Sequence, residues 1–210
     1  MLQEEEKKAT GQGASEQKNR KKQLLKSKKL WLVLAVLLTV ASVISFSISN
    51  ILEIADAAKT TQEGIKYYEQ RQYEKAVKCF VKGAEQGDDI AQNELGMCYL
   101  QGEGVPKDPE EAVKWFGMSA AQGNVISQFN LGTCYERGKG VPKDKERALD
   151  WFRKAAERGH ADSQYKLGWS YERGEGVPQD DAEAIHWYEK AEKQGHKLAH
   201  NALQKLKFKR

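Results

Sequence analysis

The side chains in this 210-residue chain that could do chemistry are four histidines, three cysteines and the residues of three glycine-rich loops. His196 and His200 stand four apart, a spacing that can place two imidazoles on one metal ion, but no Cys or Glu joins them at a recognised ligand spacing. They read as surface histidines. His160 and His196 each follow a glycine that closes a helix, where positive character near the helix end is favourable. The loops Gly102-Glu-Gly-Val-Pro106, Gly138-Lys-Gly-Val-Pro142 and Gly174-Glu-Gly-Val-Pro178 lack the strand context and the Lys-Ser/Thr pair of a phosphate cradle, so they read as turns between helices. Acidic residues scatter over helix exteriors and caps instead of pairing in a pocket. The chain is therefore expected to have no catalytic residues, no metal site and no cofactor, and not to be an enzyme.

Three cysteines are an odd number, so at least one is free or pairs between chains. Cys98 and Cys134 hold the same place in successive segments and Ser170 the next, which marks a site for a small, partly buried side chain.

That equivalence comes from an internal repeat. Leu95-Gly96, Leu131-Gly132 and Leu167-Gly168 are 36 apart, and the three loops keep the step, as do Ala112, Ala148 and Ala184 and then Trp115, Trp151 and Trp187. A fixed period between about 20 and 50 residues signals units that bury their apolar faces by stacking on neighbours. Each unit reads as two antiparallel helices. Ala91, Leu95 and Tyr99 make one apolar stripe, Gly96 and Ala112 let the helices touch, and Gly102 ends the first helix. Val105 plugs the turn, Asp108-Pro109 with Glu111 caps the second helix, and Asp144 and Asp180 repeat the cap. Trp115 and Phe116 supply bulk, and Gly87, Gly123, Gly159 and Gly195 close each second helix.

These residues resemble the SEL-one-like repeat (SLR) family, relatives of the tetratricopeptide repeats with a longer loop between helices. The resemblance implies an all-α solenoid of antiparallel helix pairs, with SLR units at 89–124, 125–160 and 161–196. Residues 57–88 have a shorter turn and resemble a tetratricopeptide helix pair, and 197–210, rich in Lys and Arg, resemble a polar capping helix. Some relatives are stapled by cysteine pairs. Their regular cysteine spacing is absent here, but Cys79, on the second helix of the first unit, could face Cys98 on the next helix, and the two are the candidate bridge if the repeats lie in an oxidising compartment. In relatives the concave face of first helices binds partner proteins, and its counterparts here are Ile90, Asn93, Met97, Ile126, Phe129, Thr133, Tyr165, Trp169 and Arg173. Tyr, Trp and Arg are frequent binding hot spots, and the competing reading has these side chains packing between repeats.

Ahead of the repeats, residues 1–29 carry nine Lys/Arg against four Glu, a net +5, which leaves −1 of the chain's +4 for the rest. Basic character is thus confined to a tail, and nucleic acid is not an expected partner. Low apolar content makes 1–29 an expected disordered tail. From Leu30 to Leu52 no charged residue or His occurs, and a helix over 30–54 is long enough to span a membrane. Seven Lys/Arg between Lys18 and Lys29 against Lys59 beyond put the N-terminus in the cytoplasm and the repeats on the far side, the periplasm in a bacterium. The expected function is a membrane-anchored, single-pass scaffold or adaptor for envelope or membrane-associated proteins. The alternatives are an envelope enzyme acting on cell-wall fragments and, if a signal peptide is cleaved near Ala55-Asp-Ala57, a secreted binder.

Overall fold

The computed structural model describes residues 39, 40 and 42–208. The tail 1–29 lies outside them, as do residues 30–38 and 41 of the expected span. The chain divides after Leu52 into two compact units. In the first, residues 42–52 are helical and exposed, Val43, Phe46 and Ile51 among them. Among the described residues no helix is long and apolar enough to cross a membrane.

The second unit contains α1 (53–69), α2 (Tyr73–Glu85), α3 (Asp89–Gln101), α4 (Pro109–Ala121), α5 (Val125–Arg137), α6 (Lys145–Glu157), α7 (Ala161–Arg173), α8 (Asp181–Glu192) and α9 (Lys197–Phe208). No strand occurs among the described residues. From α2 onward each helix packs on the next in sequence, and α7 also meets α9. The unit is an α-solenoid.

Local chemistry sets the helix boundaries. The Asp108 side chain accepts from the N–H groups of Glu110 and Glu111, Asp144 from that of Arg147, and Asp180 from those of Ala182 and Glu183, which satisfies donors orphaned at a helix start. Gly102, Gly138 and Gly174 end the first helices in the left-handed conformation. The second loop glycine has another task. A Cβ on Gly140 would stand 2.0 Å from the Pro109 carbonyl oxygen, so this loop lies directly on the start of the preceding unit's second helix.

Inside each unit an aromatic ring covers a glycine. A Cβ on Gly132 would stand 2.7 Å from the Phe152 ring and 3.1 Å from the Ala148 carbonyl oxygen. Gly64 with Phe80, Gly96 with Phe116 and Gly168 with Tyr188 repeat the arrangement. Between units the second helix of one packs on the first helix of the next: Ala76, Val77, Phe80 and Ala84 of α2 share a core with Ala91, Leu95 and Cys98 of α3. Val105, Val141 and Val177 plug successive cores as expected. The two bulky aromatics divide their work. Phe116 is fully buried against its own unit's glycine, whereas Trp115, Trp151 and Trp187 each reach back to the core of the preceding unit.

A buried glutamine fixes each crossing between units. Gln92, Gln128 and Gln164 donate through Nε2 to the carbonyls of Ala84, Ala120 and Ala156, at 3.1, 3.2 and 3.0 Å. Gln122 then donates to Gln92 Oε1 and Gln194 to Gln164 Oε1, both at 2.8 Å. At the equivalent middle position stands Arg158, whose guanidinium lies over Gly123, and buried Gln128 Oε1 has no hydrogen-bond partner among the described residues. A buried unpaired carbonyl is unfavourable by about 1–3 kcal/mol. Arg158→Gln is therefore expected to stabilise the array by about 1 kcal/mol. Thermal melting checks this, and an unchanged or lower midpoint contradicts it.

Candidate partner-binding surface

The nine expected contact residues do not form one open face. Ile90 and Ile126 hold equivalent places on the first turns of α3 and α5 and remain 47% and 48% exposed. The next equivalent is Asp162, which breaks the apolar column, and Leu198 follows at 57% exposure. Asn93 is buried: its Oδ1 accepts from Ser127 Oγ at 2.8 Å and from Asn130 Nδ2 at 3.0 Å, so it joins units. Phe129 packs on the Phe152 and His160 rings, with centroids 5.7 and 4.8 Å away, and Tyr165 on those of Tyr188 and His196 at the same distances. Met97 lies against the core of α4 and α5, and Thr133 donates its hydroxyl to the Phe129 carbonyl. Trp169 is half-buried against the core of α8 and α9, with exposed Arg173 stacked on it at 4.8 Å. Asn93, Phe129 and Tyr165 are thus drawn into packing, Asn93 against the next unit and the two rings against the second helix and closing histidine of their own unit. Ile90, Ile126, Trp169 and Arg173 keep open surface.

Trp169 also lines a cavity of about 440 Å³ walled by α5, α6 and α7, together with Arg137, Lys143, Leu149 and Phe152. Arg137 and Lys143 were not among the expected contact residues. The signal that would have found them is charge, since their loop carries Lys139 where the other two carry Glu103 and Glu175.

The histidines sit differently from their sequence reading. His160 and His196 cap the starts of α7 and α9: His160 Nδ1 accepts from the Ser163 N–H at 3.3 Å, and His196 Nδ1 from the Ala199 N–H at 3.1 Å. A positive charge at a helix N-terminus opposes the dipole, so the expected benefit of positive character is reversed here. The His196 side chain is only 12% exposed and its Nε2 meets Asp162 at 3.1 Å, which leaves His200, paired with Glu192, as the surface member. Both His196 nitrogens therefore have protein partners, and among the described residues no cluster of three metal-ligating side chains occurs.

Burial pushes the His160 pKa below its ordinary value near 6.5, with Asp162 opposing. A depressed value means that the neutral cap contributes stability in full above the ordinary pKa and that this is lost as pH falls through the folded value. Asn124 caps α5 at the equivalent position with a side chain that does not titrate. His160→Asn is expected to reduce the loss of melting temperature on acidification below about pH 6.5 relative to wild type. Parallel curves for the two proteins contradict this.

All three cysteines are free. The candidate Cys79–Cys98 bridge is absent: Cys79 lies beside Gly64 of α1, and Cys98 packs into the core shared by α2 and α3. Burial pushes the Cys98 thiol up to about 12 and that of Cys134 to about 11, so both stay protonated and behave as small core side chains.

The same architecture recurs in known proteins. A protective antigen of uropathogenic Escherichia coli strains displaying an SLR fold is 38% identical, with a TM-score of 0.68 over 70% of this chain and 32% of that one. A Sel1 repeat protein from Oxalobacter formigenes is 36% identical, with a TM-score of 0.66 over 69% of this chain and 57% of that one. This chain therefore matches about a third of the first relative's length and somewhat over half of the second's. None of the curated proteins matches the chain. The Sel1 repeat profile matches residues 62–88, 89–124, 125–160 and 161–196, so it takes in the unit whose short turn resembles a tetratricopeptide pair. With four stacked helix pairs, each closed by an aromatic ring on a glycine, the chain belongs to the Sel1 repeat family.

Proposed function

We propose that this chain is a membrane-anchored scaffold that holds a partner protein on the first helices of its Sel1 repeats. Sel1 repeats are in general protein-interaction modules. The observation that carries the reading is the surface left over after packing: Ile90 and Ile126 each keep nearly half their area open, and Trp169 borders a cavity. Exposed aliphatic and aromatic side chains on successive first helices suit the apolar anchors of a helix or an extended segment. The anchor is the uncharged run within 30–54, with the N-terminus in the cytoplasm and the repeats on the opposite side, as the basic residues before the run favour. Envelope or membrane-associated proteins are then the partners within reach.

Two measurements test this. Protease added outside intact cells, after permeabilising any outer membrane, should digest the repeats, and carbonate should leave the chain in the membrane fraction. Protected repeats overturn the orientation, and release by carbonate overturns the anchor. Trp169→Ala should weaken retention of the partner cross-linked to the wild-type chain by about tenfold, the scale of a lost aromatic hot spot, with helicity unchanged. Equal retention removes Trp169 from the binding surface, and a large loss of helix signal assigns it to the core.

A further inference from the structure

The α5–α6 connection differs from its two counterparts in charge. Residues 137–145 hold Arg137, Lys139, Lys143 and Lys145 against Asp144, a net +3, whereas 101–109 carry −1 and 173–181 carry −2. The cavity of about 440 Å³ opens beside this loop, with Leu149, Phe152 and Trp169 among its walls. Its two carboxylates are already answered. Glu136 accepts from Lys166 through both oxygens at 2.8 Å, and Glu175 accepts from Lys145 at 2.6 Å, a contact that holds the Glu175 carboxyl below the usual range. Arg137 and Lys143 form no ion pair among the described residues. Arg137, which has no ion pair among the described residues, and Lys143, whose charge also acts on Glu175, therefore flank a recess of mixed polar and apolar walls whose volume falls within the usual range for ligand clefts, about 300–1,000 Å³.

We propose that this recess binds an acidic, extended segment of a partner protein. One bulky apolar side chain of that segment sits against Leu149 and Trp169, and carboxylates on either side of it meet Arg137 and Lys143. The positive loop steers the segment in, and the apolar contact retains it. The recess favours a side chain over a lipid headgroup because Ala148, Leu149, Phe152 and Trp169 give it apolar wall beside the charged groups. The inference rests on reading the repeats as protein-binding and adds the chemistry of what they bind.

Panning a randomised peptide library on the purified full chain tests it. Enriched sequences should be acidic around an aromatic or leucine residue, and the best of them, synthesised and labelled, should bind more weakly as salt rises. The combined variant Arg137→Gln, Lys139→Glu and Lys143→Gln takes its residue types from Gln101, Glu103 and Gln179 of the sister loops, so folding should be preserved, as an unchanged thermal melt will verify. It should weaken the labelled peptide by about tenfold or more. Undiminished binding by that variant, or enrichment of neutral or basic sequences, overturns the inference. Failure to enrich any sequence does so as well. Phosphatidylglycerol vesicles supply the competing source of negative charge: if the variant loses vesicle binding and keeps peptide binding, the loop is a lipid surface and the inference falls. Neutral peptides that bind wild type and fail on Trp169→Ala would leave the scaffold standing without its acidic specificity. If neither acidic nor neutral peptides depend on Trp169, the scaffold reading falls as well.

Discussion

Replacing Gly132 with Leu is expected to destabilise the array by about 3 kcal/mol or more, the upper end of the range for overpacked cores. The added side chain would start 2.7 Å from the Phe152 ring, which could turn aside, but also 3.1 Å from the Ala148 backbone carbonyl, which cannot move without separating α5 from α6. Helix propensity alone predicts the opposite sign, since Gly in a helix interior is about 1 kcal/mol worse than Ala. Gly117, within α4, separates the two effects, because a Cβ there meets nothing within 4 Å. Gly117→Ala should raise the melting temperature and Gly132→Leu should lower it sharply. If Gly132→Leu melts like wild type, the close crossing of α5 and α6 is not what holds that unit together.

Phe116→Ala should cost about 3–5 kcal/mol, the usual range for removing a fully buried phenyl ring. Phe116 is 0% exposed and stands against Gly96, with Ala112, Ala120, Leu131 and Cys134 sharing its core. Those neighbours are mostly small and helix-bound, so they cannot collapse into the space. The melting temperature should fall by on the order of 10 °C. Because contacts run mainly between consecutive helices, stability in such an array is close to a sum of unit and nearest-neighbour terms. Hydrogen exchange should therefore quicken first in α3, α4 and α5 and later in α8 and α9. Uniform acceleration across all the helices would show that the array unfolds as one block.

The exposure of the nine expected contact residues was legible only in part, and the reason lies in how a helix divides its circumference. Spacing along α3 and α5 placed Ile90 and Asn93, and Ile126 and Phe129, on one face, yet the structure leaves the isoleucines open, joins Asn93 to the next unit and packs Phe129 on Phe152 and His160 of its own. Which of two adjacent stripes is covered depends on the angle at which the following unit arrives. The Gln92, Gln128 and Gln164 side chains bond across that junction to the preceding unit, a contact a single repeat does not reveal. The histidines were misread for a similar reason. His160 follows a closing glycine and precedes a helix by the same one residue, so only the hydrogen bond from the Ser163 N–H shows which helix end it serves.

By itself, the amino-acid sequence determined the helix pairs, their 36-residue period, the caps at Asp108, Asp144 and Asp180 and the glycine at each crossing. Those features depend on groups a few residues apart or on a repeat that reports itself. Tertiary structure alone decided that Trp115 serves the preceding core and Phe116 its own, that the three thiols are free, and that Arg137 and Lys143 share a recess with Trp169. Each of these outcomes joins residues from different helices, and the distance between such residues depends on how the units stack.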